Sequence, residues 1–205
     1  MKKQSLVNGY AALLSIAVLI LFFSFKNLKE NFDEITVKRI NIVDEKGKHV
    51  MVISNQEKFP FPILNGKEFK ERSIAPAGIV FYKKDGDECG GIGIVDVPGA
   101  NMSRMIFDYS NSEAIGFGIF ETKDGKSYGS GLSIAERIPL GSDVMKVGTT
   151  GPERISLSTE NKDAFLILKD TMGKPKIEFR VDSSGVPSFK VFDKNGMAKE
   201  YILTE

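Results

Sequence analysis

Lys176-Ile-Glu-Phe-Arg-Val181, Asp182-Ser-Ser-Gly185, Ser188-Phe-Lys-Val-Phe192 and Asp193-Lys-Asn-Gly196 follow one another closely near the end of the chain, and this stretch decides the fold class. Ile177, Phe179 and Val181 alternate with Glu178 and Arg180, the period-2 pattern of a strand with one dry and one wet face. Each run ends in Asp-x-x-Gly. Asp can bond the backbone just after it, and Gly takes the positive φ that closes a bulged hairpin. The same turn begins at Asp44, Asp170, Asp182 and Asp193, the last three 12 and 11 residues apart, which is about one strand plus one turn. An up-and-down antiparallel meander is predicted.

Working backwards, Arg154-Ile-Ser-Leu157 and Phe165-Leu-Ile-Leu168 read as two further strands. Ile35 to Val43 and Val50 to Ile53 flank the first Asp-x-x-Gly turn, and Gly78 to Tyr82 and Gly91 to Val95 flank Lys84-Asp85-Gly86-Asp87. Thirteen of the twenty glycines fall between Gly86 and Gly151. Glycines inside strand-like runs such as Ile115-Gly-Phe-Gly-Ile119 mark bulges or sharp bends, so a strongly curled sheet or a closed barrel is expected.

The other end of the chain is different in kind. Twenty-two uncharged residues separate Lys3 from Lys26, and Ala, Leu, Ile, Val and Phe dominate from Leu6 to Phe25. Twenty residues at about 1.5 Å each make roughly 30 Å, a bilayer's hydrocarbon thickness, so a transmembrane helix is expected over 6–25. A cleaved signal peptide would end in small residues, whereas this run ends Phe22-Phe23-Ser24-Phe25. The organisation expected is a cytoplasmic tail (1–5), the span (6–25), a linker (26–34) and a β-rich extracytoplasmic domain (35–205). Such a chain sits in the cytoplasmic membrane, single-pass, with the membrane itself as one partner.

Composition excludes several classes. From Glu30 onward there are 24 basic and 27 acidic residues, a net charge of −3, which offers no electrostatic footprint for nucleic acid. One cysteine, Cys89, and one histidine, His49, rule out an intramolecular disulfide and the usual zinc triads. No serine-hydrolase motif occurs, and Gly90-Gly91-Ile92-Gly93 runs into another strand rather than the helix a phosphate loop needs. No catalytic residue, cofactor or metal is therefore assigned. Paired carboxylates remain open because their pairing is spatial.

Two segments stand out as candidate contacts. Asn55 to Ala77 lacks a turn-strand rhythm and carries Phe59, Phe61, Ile63, Leu64, Phe69 and Arg72. Loops of that length either fold over the core or bind something. The hairpin tip beside Gly86 carries Asp85, Asp87, Glu88 and Cys89; its bland reading is a solvated turn with a buried thiol.

Arg39-Ile-Asn-Ile-Val43 with Met51-Val-Ile-Ser-Asn55, then Ala77-Gly-Ile-Val-Phe-Tyr82 and Gly86-Asp-Glu-Cys-Gly-Gly91, resemble a group of uncharacterised bacterial single-span membrane-anchored proteins. The resemblance implies a bacterial source and one anchored domain, and no activity. The function expected is a membrane-anchored binding or assembly module with a protein partner. The alternative is a small-molecule or lipid carrier whose closed barrel holds an apolar cavity lined by Phe81, Phe107, Phe117 and Phe120.

Overall fold

The computed structural model describes residues 2–24, 31–70, 74–143, 146 and 150–202. The chain divides into two compact units, residues 1–37 and 38–205.

In the first unit, Lys2–Ser24 form a helix of 23 residues, α1, with Leu6, Val7, Leu13, Ile16, Leu19 and Leu21 among its exposed side chains. Among the described residues no helix is long and apolar enough to cross a membrane. That finding corrects the single span expected over 6–25. With it go the single-pass placement, the membrane as a partner, and the anchored architecture implied by the resemblance. Lys3, Gln4, Asn8, Gly9 and Tyr10 occupy the first turns of α1. Phe25, the expected end of the span, lies outside the described residues, as does most of the linker.

The second unit is the expected antiparallel meander. Its strands are β1 (Arg39–Val43), β2 (His49–Ser54), β3 (Ile63–Leu64), β4 (Lys67–Glu68), β5 (Ala77–Tyr82), β6 (Glu88–Val97), β7 (Ala100–Asp108), β8 (Glu113–Thr122), β9 (Tyr128–Ala135), β10 (Glu153–Glu160), β11 (Asp163–Lys169), β12 (Pro175–Val181), β13 (Pro187–Phe192) and β14 (Ala198–Ile202). Twelve of them form one sheet in the order β1-β2-β5-β6-β7-β8-β9-β10-β11-β12-β13-β14, and β3 pairs only with β4.

The turns carry the chemistry read from their residues. Gly47, Gly173, Gly185 and Gly196 all have φ between 77° and 85° and donate their N–H to the carbonyls of Asp44, Asp170, Asp182 and Asp193. In each turn one carboxylate oxygen accepts two later backbone N–H groups, as Asp182 does from Ser184 and Val186 at 2.9 Å each. Thr122 does the same work at Gly125, its hydroxyl accepting from Ser127 at 3.0 Å.

The sheet does not close. β1 and β14 each have a single neighbour, so the barrel and the strong curl are corrected to an open meander. The glycines explain the difference. Register runs unbroken through the middle of β6, β8 and β9, and the shifts along these ladders fall at strand ends. Rather than bending the strands, glycines at 93, 116, 118 and 129 make room on one face. A Cβ at Gly116 would stand 3.1 Å from the Arg104 guanidinium, one at Gly129 2.7 Å from the Phe120 ring, and one at Gly93 3.1 Å from Pro76.

Candidate functional site

Antiparallel partners project to the same side, so the registers sort the side chains of the whole sheet into two faces. One row crosses every strand of the twelve-stranded sheet. Ile40, Ile53, Ile79, Ile92, Met105 and Phe117 stand opposite one another in sequence from β1 to β8. Leu132, Leu157, Leu166, Phe179, Phe189 and Tyr201 continue it to β14. All twelve positions are apolar or aromatic. The parallel row through Phe81, Phe107, Ile115, Ile134, Ile155 and Ile177 reinforces them.

This dry face is not covered by any other described element of its own unit. Phe179, Phe117 and Leu157 are each about half exposed, whereas Val52 on the other face is 0 % exposed. Over the last seven strands, β8 to β14, the face hollows into a trough of about 1240 Å³ lined by Phe117, Leu132, Leu157, Phe179, Phe189 and Tyr201 among others. Phe179 and Phe189 are 4.9 Å apart between ring centres, and Phe189 and Tyr201 6.0 Å.

Much of the opposite face is covered or ion-paired. Over β2 and β5 it is capped by the segment after Asn55, where a short helix (Gln56–Lys58) leads to Phe59 and Ile63, both packed on Val52, Val80 and Tyr82. Leu64 packs against Ile138. Over the later strands it carries ion pairs instead: Asp163 with Arg180, Glu178 with Lys190 at 3.4 Å, and Lys190 with Glu200 at 3.3 Å. Arg180 also lies 5.2 Å from the centre of the Phe165 ring.

The two candidate contacts from the sequence meet in this cap. Asp87 is buried, and its carboxylate accepts the backbone N–H of Asn65 and of Gly66 at 2.8 Å each. It therefore clamps the β3–β4 turn, in which Asn65 and Gly66 both have positive φ. Asn-Gly is the strongest short hairpin signal, and the sequence reading passed over it. Phe59, Ile63 and Leu64 are packing residues. Phe61 is exposed, Phe69 is partly buried, and Arg72 lies outside the described residues. Asp85 accepts the N–H of Asp87 at 3.0 Å. Cys89 is partly buried, and its thiol is pushed above the ordinary value by burial first and by the neighbouring Asp108 carboxylate second. A thiol so held is a poor nucleophile.

The carrier cavity is also corrected. Phe81, Phe107 and Phe117 share the dry face of an open sheet, while Phe120 pairs with Met102 and Gly129 on the other.

Between the cap and β5–β8 lies a second hollow of about 350 Å³, lined by Phe59, Leu64, Val80, Arg104, Asp108 and Glu113 among others. Arg104 stands 3.5 Å from Glu113. Burial, with Glu113 beside it and Lys83 opposing, raises the Asp108 carboxyl from 3.8 to about 6. Among the described residues no group of three or more His, Cys, Asp or Glu side chains is placed to hold a metal ion. No family model matches this chain, and no curated protein matches it.

Proposed function

We propose that this chain is a non-enzymatic assembly module that docks protein on the dry face of its sheet. The observation that carries the reading is the unbroken apolar row from Ile40 to Tyr201, uncovered while the opposite face is capped and ion-paired. A sheet with one apolar face is stable when a second layer buries it. Exposed apolar surface on this scale marks an interaction site. The trough adds aromatic side chains, the residue class enriched at the centres of interfaces.

The test is site-directed photo-crosslinking in the native setting, with a photoreactive residue at Leu157 and another at Glu160. Protein adducts at 157 and none at 160 support docking on this face. Adducts at 160 alone would transfer the role to the other face, and adducts at neither would end the reading.

A second reading attaches to the hollow beside Asp108. A carboxyl that titrates near neutrality in a mixed apolar and charged hollow is a feature of ligand sites. Its check is the Asp108 side-chain NMR signal during addition of short alkylammonium ions. An unmoved signal removes this reading and leaves the first intact.

A further inference from the structure

We propose that the dry face is covered by the same face of a second copy of this chain, giving a two-layered β-sandwich with one sheet from each copy. The inference rests on the reading of this face as a docking surface and names its occupant.

Area is the first argument. Thirteen apolar or aromatic side chains on this face, six of them in the central row and the others including Ile42, Ile94, Phe107 and Val191, are between 37 % and 57 % exposed. At about 150–200 Å² per side chain, they offer roughly 900 Å² per copy, or about 1,800 Å² for two, the size of a standard stable interface. Twelve strands at about 4.8 Å make a face roughly 50 Å wide, which a helix some 10 Å across leaves mostly bare. A second twelve-stranded sheet matches it, packed about 10 Å away as in other sandwiches.

Charge is the second. A face that docks on itself must carry no net charge at its centre, because a twofold axis brings like against like. The central row from Ile40 to Tyr201 holds no ionisable carboxylate or amine. Asp96, Glu121 and Lys199 on this side belong to strand ends or the edge strand β14. The ion-paired residues Asp163, Arg180, Glu178 and Lys190 all project from the opposite face.

Shape is the third. The first four positions of the row are isoleucines, Ile40, Ile53, Ile79 and Ile92, and the trough begins two positions later at Phe117. A twofold axis parallel to the strands, midway between the two sheets and facing the middle of each, lays the isoleucine end of each copy over the trough of the other. Both troughs are then filled by one operation.

The test is sedimentation velocity on the full chain over a range of concentrations. Wild type, Ile94→Glu with Phe179→Glu, and the opposite-face control Glu160→Lys are compared, with circular dichroism to confirm that each folds. Binding of an anilinonaphthalene dye reports whether the face is open. The proposal expects wild type and E160K at twice the 22.6 kDa of one chain, and the double variant at one chain's mass. A dimer that survives the double variant overturns it. A wild-type monomer whose dye binding is lost in the double variant overturns the second copy and leaves the docking surface standing. A monomer that binds no dye has its face covered from within and overturns both. If the double variant fails to fold, Leu157→Ser replaces it under the same criteria.

Discussion

Replacing Asp87 with alanine removes the clamp that joins the cap to the sheet. The wild-type carboxylate accepts two backbone N–H groups at 2.8 Å, from Asn65 and Gly66, and is itself buried. Hydrogen bonds to a charged group contribute about 1.5–3 kcal/mol each. Asn65 and Gly66 are exposed, so water recovers part of what they lose, and the lower end applies. The expected loss is about 3 kcal/mol for D87A, and about half that for D87N, whose side chain keeps one carbonyl oxygen. The turn around Asp87 should survive, because its bonds do not use the Asp87 side chain: Lys83 N–H donates to the Asp87 carbonyl at 2.9 Å, Gly86 N–H to the Lys83 carbonyl at 2.9 Å, and Asp87 N–H to the Asp85 carboxylate at 3.0 Å. Urea unfolding gives the energies, and amide exchange at Asn65 and Gly66 gives the location. A loss below about 0.5 kcal/mol, or unchanged protection of those two amides in D87A, would refute the clamp.

Gly118→Ala should destabilise by about 2–4 kcal/mol, because its Cβ would overlap the Ser103 carbonyl oxygen and stand 2.9 Å from Arg104 Cγ; a tolerated alanine in thermal unfolding would show that β7 and β8 can part. Asp108 binds its proton more tightly folded, at about 6 against 3.8, so its contribution is fully present below about pH 4 and lost as pH rises through 6. Asp108→Asn should remove that loss, stabilising by about 1–3 kcal/mol at pH 7 after allowance for solvent, and a pH-stability profile with an unchanged slope between 4 and 7 would contradict it. Cys89 should react slowly with a thiol reagent at pH 8 in the folded chain and rapidly in denaturant, since burial raises its thiol; equal rates would contradict its packing. Val52→Ala should cost about 2 kcal/mol at any protein concentration, whereas Leu157→Ala, 54 % exposed in one copy, should cost less than about 1 kcal/mol in dilute monomer and more as concentration rises. A concentration-independent Leu157 effect would mean the face is never covered by a partner.

Local chemistry was legible where it depends on a few neighbouring residues. The turns at Asp170, Asp182 and Asp193 could be read because an Asp carboxylate and a positive-φ glycine make a hairpin without help from the rest of the chain. Alternation in Ile177 to Val181 likewise showed one dry and one wet side. Curl and closure were misread because a glycine's role is set by what lies across from it. Gly116 and Gly118 look like bends in isolation, and only the register that places Arg104 opposite Gly118 shows that they clear space for a long side chain. The span expected at the N-terminus rested on a residue count alone, and among the described residues no helix is long and apolar enough to cross a membrane.

The site shows the same limit more sharply. Phe59, Ile63 and Leu64 drew attention as apolar residues in an irregular segment, yet irregularity there reflects a cap tailored to Val52, Val80 and Tyr82. Leu157 and Phe179 drew none, because each sits in a regular strand where an apolar residue is ordinary. What makes them a candidate site is that ten other strands supply an apolar residue to the same row. The cap's location decides which face is spare. It covers the side where Val80 is 1 % exposed and leaves bare the side where Leu157 is half in water. A strand therefore declares in its own sequence that it has a dry side, while the partner that keeps it dry is specified by the surface as a whole.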